Sequence, residues 1–287
     1  MAPNARSEMR FSSAKAIVQC AYRSCLQHNQ LNNAAALSFF FLLSLSPLLI
    51  FLVSLMTVLP VPNLDRHILE AVSQIVPVDA MRIVSRVLMS VFESNRRLLS
   101  LGILGAIWAG STGFNAMIMA LNAAYLVKEA RPVWKRQLVA IGLTIVVGVM
   151  VIAALTLLFF GSRIGYWVAS RVGAESALAA AWPIIRWFVI VAFTTLSVEM
   201  LYFLAPNTKH RFLSQMPGAS VAVVLWLTSS FGLGWYLRSF SEFTAIYGAL
   251  GAMIALMLWF YLSSLAILIG AEVNAQVQLM SFPDRTR

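Results

Sequence analysis

Six long apolar runs set the terms for everything else in this chain. They cover residues 34–59, 98–121, 138–160, 182–204, 216–237 and 247–270. Each reaches the roughly 20 residues that an α-helix needs to cross about 30 Å of hydrocarbon at 1.5 Å per residue. Lipid offers no partner for an open backbone N–H or C=O, so such runs must be helices. Barrel strands would be about half as long and would alternate in polarity. The first run is too long for a signal-peptide core and follows about 30 residues of chain, so it reads as a retained membrane helix. Of the 287 residues, 60% are hydrophobic and 11% charged, against roughly 45–50% and about 25% in soluble domains. That balance excludes an ordinary soluble enzyme, a disordered chain and a disulfide scaffold.

Orientation follows the basic residues. An even number of spans puts both termini on one side. That side collects 12 Lys/Arg, among them Arg6, Arg10, Lys15, Arg23 and the compact group Lys128, Arg131, Lys135 and Arg136. The other side has 8, including Arg66, Arg96, Arg163 and Arg171. The short basic loop favours both termini inside. The net charge of +10 then reads as topology and attraction to an anionic leaflet, not as a nucleic-acid footprint. No nucleic-acid partner is expected, because a basic surface interleaved with stacking aromatics is missing.

Two segments outside the spans have an amphipathic period. Ala14, Ile17, Val18, Ala21, Tyr22, Cys25 and Leu26 form one stripe, with Lys15, Gln19, Arg23 and Gln27 off it, as in a helix lying in the interface. The connection 60–97 repeats the pattern with Leu64, Ile68, Val72 and Ile75, then Met81, Val84, Leu88 and Val91, and Pro77 divides it into two helices. These helices plug the bundle ends, contact head groups or form an external gate. The expected fold is an all-α integral membrane protein: a six-span bundle (34–275) with an N-terminal cytoplasmic interfacial helix (1–33), an external amphipathic connection and a cytoplasmic tail (276–287). Cys20 and Cys25 lie on the reducing side at a spacing that fits no metal or redox motif.

Polar residues inside the spans are the candidate site. Gly102, Ala106 and Gly110, with Gly105, Ala109 and Gly113, form small rows that let helix backbones approach. Ser111, Asn115 and Asn122 share a face of the same helix, either a polar lining or an interhelical seam. Glu199 is the one acid well inside a span, with Thr195 and Tyr202 on its face. An ionised carboxylate in lipid is costly, so Glu199 reads as a proton or substrate site, or as a neutral acid in an interhelical hydrogen bond. Glu272 is expected at the interface. No catalytic set, metal-ligand spacing or phosphate loop appears, so no cofactor or metal is expected and an enzyme is ranked last.

Several blocks resemble the BrkB/YihY family of bacterial inner-membrane proteins. They are Ala34-Ala35-Ala36-Leu37-Ser38-Phe39-Phe40 with Ser44-Leu45-Ser46-Pro47-Leu48, Leu121-Asn122-Ala123-Ala124-Tyr125, and Arg131-Pro132-Val133-Trp134-Lys135-Arg136. Further blocks are Tyr202 with Ala205-Pro206-Asn207, Pro217-Gly218, Tyr247-Gly248-Ala249-Leu250-Gly251, and Gly270-Ala271-Glu272-Val273-Asn274-Ala275. The family often has Tyr-Arg where this chain has Tyr202-Phe203. The resemblance implies six spans with both termini cytoplasmic, and a structural role for Pro47, Pro206, Asn207, Pro217, Gly218, Tyr247, Gly248, Gly251, Glu272 and Asn274. It also implies an association with envelope integrity, serum resistance and export of lipids or lipid-linked precursors, and it carries an old ribonuclease BN label generally regarded as mistaken. The expected function is movement of a lipid or amphipathic envelope precursor across the bacterial inner membrane. Glu199, Ser111, Asn115, Asn122, Thr195 and Tyr202 would line the path, and Arg131, Trp134, Lys135 and Arg136 would meet head groups. The alternative is an envelope-assembly scaffold. Expected partners are membrane lipids, with a homo-oligomer as the other option.

Overall fold

The computed structural model describes residues 5–58, 96–172, 175–208, 211–239 and 241–281. The expected amphipathic connection after the first run lies, but for its last two residues, outside them. The described residues form seven α-helices and no strand: α1 (Ala5–Gln27), α2 (Gln30–Val58), α3 (Arg96–Ala124), α4 (Val133–Val172), α5 (Glu175–Leu204), α6 (Met216–Ser239) and α7 (Ser241–Ser281). A short 3₁₀ turn, Phe212–Gln215, leads into α6.

Four stretches among the described residues are long and apolar enough to cross a membrane: Val133–Val151, Ile184–Leu204, Phe212–Leu237 and Gly251–Leu279. They fall within or overlap the last four apolar runs. The first two runs fall in α2 and α3, each 29 residues long. For α2 the described apolar stretch is Gln30–Leu45. The helices overrun the expected spans: α4 has 40 residues and α7 has 41, about 60 Å each, because no Pro or turn signal interrupts either one.

Helices α2 to α7 close a circuit. Each packs on the next in sequence, and α7 returns to α2, while α1 lies against α7. Lipid gives no hydrophobic drive to this association, so close approach and interhelical polar contacts supply it. The tightest approach is the crossing of α6 and α7. A methyl group added at Gly218 would overlap the Gly270 carbonyl and the Asn274 side chain, and one at Gly270 would overlap the Gly218 carbonyl and the Tyr202 hydroxyl. Further along the same pair, Trp226 Nε1 donates to Ser263 Oγ and Trp259 Nε1 to Ser230 Oγ, each at 3.1 Å. The small rows of α3 also pack, with Gly110 against Thr144 of α4 and Gly113 against Phe41 of α2.

The surface is apolar in the way lipid requires. Phe188, Trp235, Phe231, Ile184 and Trp108 are at least 70% exposed. In water, leaving each such side chain out would forgo roughly 1.5–3 kcal/mol. The stripe expected on α1 divides: Ala21 and Cys25 are buried, whereas Val18, Tyr22 and Leu26 are exposed.

The crossing yields a paired test. Gly218→Ala should cost at least ~2 kcal/mol by forcing the backbones apart. Gly232→Ala on the same helix meets nothing within 4 Å and should be neutral or stabilising by about 0.5–1 kcal/mol. Thermal unfolding of the two detergent-purified variants measures the difference, and equal midpoints would refute the close-packing account.

Candidate functional site

The starts of α2, α4 and α6 meet the ends of α3 and α5 and the last third of α7 at one end of the bundle. Helix ends bring unsatisfied backbone groups, and the polar residues collect where those groups are.

Helix α3 ends in a Schellman turn. The Val127 N–H donates to the Asn122 carbonyl at 2.9 Å and the Leu126 N–H to the Ala123 carbonyl at 3.2 Å. Leu126 has φ 56° there, a position usually given to glycine. The turn aims the 127–132 loop back across the bundle. Glu129 takes the Arg131 Nε and backbone N–H on Oε1, at 2.8 and 2.9 Å, and Arg131 Nη2 and Asn122 Nδ2 on Oε2, at 2.9 and 2.8 Å. Arg131 also donates to the Ala205 carbonyl at 2.6 Å, and Asn122 Oδ1 accepts the Asn207 N–H at 2.8 Å. The loop is thereby tied to the end of α5.

Deeper in, α7 caps α6. Asn274 Oδ1 accepts the Gly218 N–H at 2.7 Å, one of the first-turn donors that has no partner within its own helix, and Asn274 Nδ2 donates to the Gln215 carbonyl at 2.8 Å. Pro217 beside it has no N–H to satisfy. Tyr125 donates to Gln215 Oε1 at 2.7 Å. Tyr202, completely buried, donates to the Ile267 carbonyl.

Glu272, expected at the interface, is enclosed by the protein and has no exposed surface. Its Oε1 accepts from Gln30 Nε2 and contacts His28 Nδ1, both at 2.8 Å, because α1 and the start of α2 fold over α7. Asn29, at φ 57°, makes the turn that allows this. Cys25, buried nearby, has its thiol pushed up by burial and by Glu272.

The α3 row is bonded within the bundle. Gln137 of α4 donates to Ser111 Oγ at 2.9 Å and accepts from Asn115. Ser111 is fully buried, so it offers no surface to a second subunit. Thr195 returns its hydroxyl to the Val191 carbonyl at 2.8 Å. Of the head-group candidates, Arg131 is engaged by Glu129 and Ala205, and Arg136 reaches the Met119 sulfur at 3.5 Å. Trp134 and Lys135 are exposed, with the ammonium 5.3 Å from the indole centre. The surroundings of Pro47, Tyr247 and Gly248 lie outside what is described; Gly251 is buried. Among the described residues no group of three or more His, Cys, Asp or Glu is placed to hold a metal.

Glu199 stands apart. It is fully buried, and neither carboxyl oxygen has a hydrogen-bond partner. The backbone N–H of Gln215 faces it without reaching hydrogen-bond geometry, and the Tyr125 and Tyr202 hydroxyls lie within its electrostatic reach.

The sequence profile described as Virulence factor BrkB matches residues 21–287. The chain belongs to the BrkB family. It is 38% identical to the ribonuclease-like protein YfkH of Bacillus subtilis over 86% of this chain and 90% of that one. It is also 30% identical to a UPF0761 membrane protein of Vibrio campbellii, over 87% of this chain and 78% of that one. With the UPF0761 membrane protein RSc1559 of Ralstonia nicotianae it shares 27% identity, spanning 55% of that protein. No solved structure matches. The blocks that mark the BrkB resemblance are far apart in sequence yet adjacent here: Asn122, Arg131, Ala205, Asn207, Gly218, Glu272 and Asn274 bond one another or one another's neighbours. Sequence reasoning missed His28, Gln30, Glu129, Gln137 and Gln215. Their common signal is a hydrogen-bonding side chain within a turn of a helix end.

Glu129 gives this site a pH dependence. Hydrogen bonds from Arg131, chiefly, hold its carboxyl down at about 2, from an ordinary 4.5. A lowered acid stabilises the fold above its ordinary value, and the contribution fades as pH falls through 4.5 toward 2. Glu129→Gln should therefore cost on the order of 2–3 kcal/mol at pH 7 and progressively less below pH 4. Thermal midpoints of both proteins across that range should converge on acidification; a constant gap would contradict the ion pair's role.

Proposed function

We propose that this BrkB-family protein is a six-span inner-membrane bundle, both termini cytoplasmic, that moves a lipid or amphipathic envelope precursor between leaflets. The observation that carries the reading is Glu199: an acid with no exposed surface and no partner, at the inner edge of a polar cluster within an otherwise apolar bundle. Intramembrane ionisable residues are expensive and mark pathways by default.

The six-span count adds α2 and α3 to the four apolar stretches, since each is about 43 Å long. The inward placement of both termini follows the Lys/Arg bias. In this orientation the polar cluster faces the cytoplasmic leaflet. Lys128 and Lys135, both exposed, draw head-group phosphate there, each contributing on the order of 1 kcal/mol near an anionic surface. Trp134 anchors the same loop at the interface. The bonded residues Asn122, Arg131, Tyr202 and Asn274 hold the mouth of the path rather than line it, and Ser111 and Asn115 hold α3 to α4. The word ribonuclease belongs to the name of the Bacillus relative; no cluster in the described site favours that chemistry.

Reconstitution in liposomes with a fluorescent phospholipid tests the reading. The protein should speed exchange between leaflets over empty liposomes, and Glu199→Ala should slow it by about tenfold, the effect of ~1.4 kcal/mol on the barrier. Exchange no faster than in empty liposomes would reject transport of that lipid, and equal rates for both proteins would remove Glu199 from the path.

A further inference from the structure

The other buried carboxylate, Glu272, and the part-buried Glu129 each have dedicated partners. Glu272 has Gln30 and His28, and Glu129 has Arg131 and Asn122. Glu199 has no cation and no hydrogen-bond partner, with only the Gln215 N–H facing it. Charged groups on the elements around it are committed or remote. Arg131 is bound by Glu129 and the Ala205 carbonyl, and Arg136 lies at Met119. Lys135 sits over Trp134 at the exposed start of α4, and Arg211, ahead of the 3₁₀ turn, is exposed. Arg186 is 13 residues back on α5 itself, about 20 Å away. From α3 the titratable neighbour is Tyr125, and from α5 Tyr202; α7 brings Glu272 only as far as Tyr125.

Magnitude decides what state such a group can hold. A neutral acid buried without a hydrogen bond costs a few kcal/mol, whereas an isolated ionised carboxylate costs far more. A sodium ion would need a cage of free oxygens. The Gln215 oxygens beside Glu199 each already accept one hydrogen bond, Oε1 from Tyr125 and the carbonyl from Asn274, which leaves few lone pairs for a cage. A proton needs only one oxygen.

We propose that Glu199 is a proton-binding site: its carboxylate takes up one proton to become the neutral acid, and releases it when the bundle admits water to it. The hydrogen-bonded Tyr125–Gln215 pair borders Glu199 and belongs to the polar network at the helix ends. This deepens the transport reading by naming the ion coupled to it, yet it is measurable without any transport.

Infrared difference spectroscopy reads the proton directly. The purified protein should show the carbonyl stretch of a protonated carboxyl at neutral pH, lost in Glu199→Gln and shifted in Glu199→Asp, with gel filtration confirming that each variant is folded. N,N′-dicyclohexylcarbodiimide, an apolar reagent selective for protonated carboxyls, should label the Glu199 peptide, and labelling should fall as pH rises. No Glu199-dependent carbonyl band at any pH, or a band abolished by sodium at constant pH, would overturn the proposal. A band present in a protein that fails to move lipid would sink the transport reading and leave the proton site standing.

Discussion

The contact on which the rest depends is the crossing of α6 and α7 at Gly218 and Gly270, where two backbones touch without intervening side chains. In lipid, helices gain little from hiding apolar surface from one another, so a close backbone crossing and the polar bonds it permits carry the association. Proximity here lets Asn274 reach into the first turn of α6 and satisfy the Gly218 N–H and the Gln215 carbonyl together. It also places Gly270 where the Tyr202 hydroxyl can pass to the Ile267 carbonyl. Through Tyr125 and Gln215 the same junction holds the end of α3. Widen this crossing, and the ends of α3 and α5 and the start of α6 lose their shared partners.

Much of the fold is legible in the sequence because lipid simplifies it. Apolar runs must be helices, and small residues at four-residue spacing must pack; Gly110 and Gly113 do. Where helices end is less legible. Arg163 and Arg171 look like loop residues by charge, yet both continue α4, because a charged residue past the hydrocarbon edge carries no penalty for staying helical. The amphipathic stripe on α1 is legible as a stripe but not as two surfaces. Period alone cannot tell that Ala21 and Cys25 are buried while Val18 and Tyr22 face outward.

The candidate site is legible residue by residue and illegible as a network. Glu199 stands out from sequence because charge inside an apolar run is rare. Glu272, two residues past the end of an apolar run, looks interfacial because nothing local shows that His28 and Gln30, more than 240 residues away, fold over it. Arg131 looks like a head-group ligand because its charge is visible in sequence and its bond to the Ala205 carbonyl is not. Gln137 draws no attention as one glutamine at a helix start, although both Ser111 and Asn115 depend on it.

These pairings follow one rule that also isolates the exception. Helix ends supply unpaired carbonyls and N–H groups, and side chains near them find partners among those groups or among each other. Asn122 bonds the Asn207 N–H, Arg131 the Ala205 carbonyl, and Asn274 both groups at the α6 start. Glu199 lies about five residues inside the end of α5, where the surrounding α5 backbone is already paired along the helix. Placed where it is, it stays buried beside a satisfied network without joining it, and the vacancy in its bonding is a property of its depth.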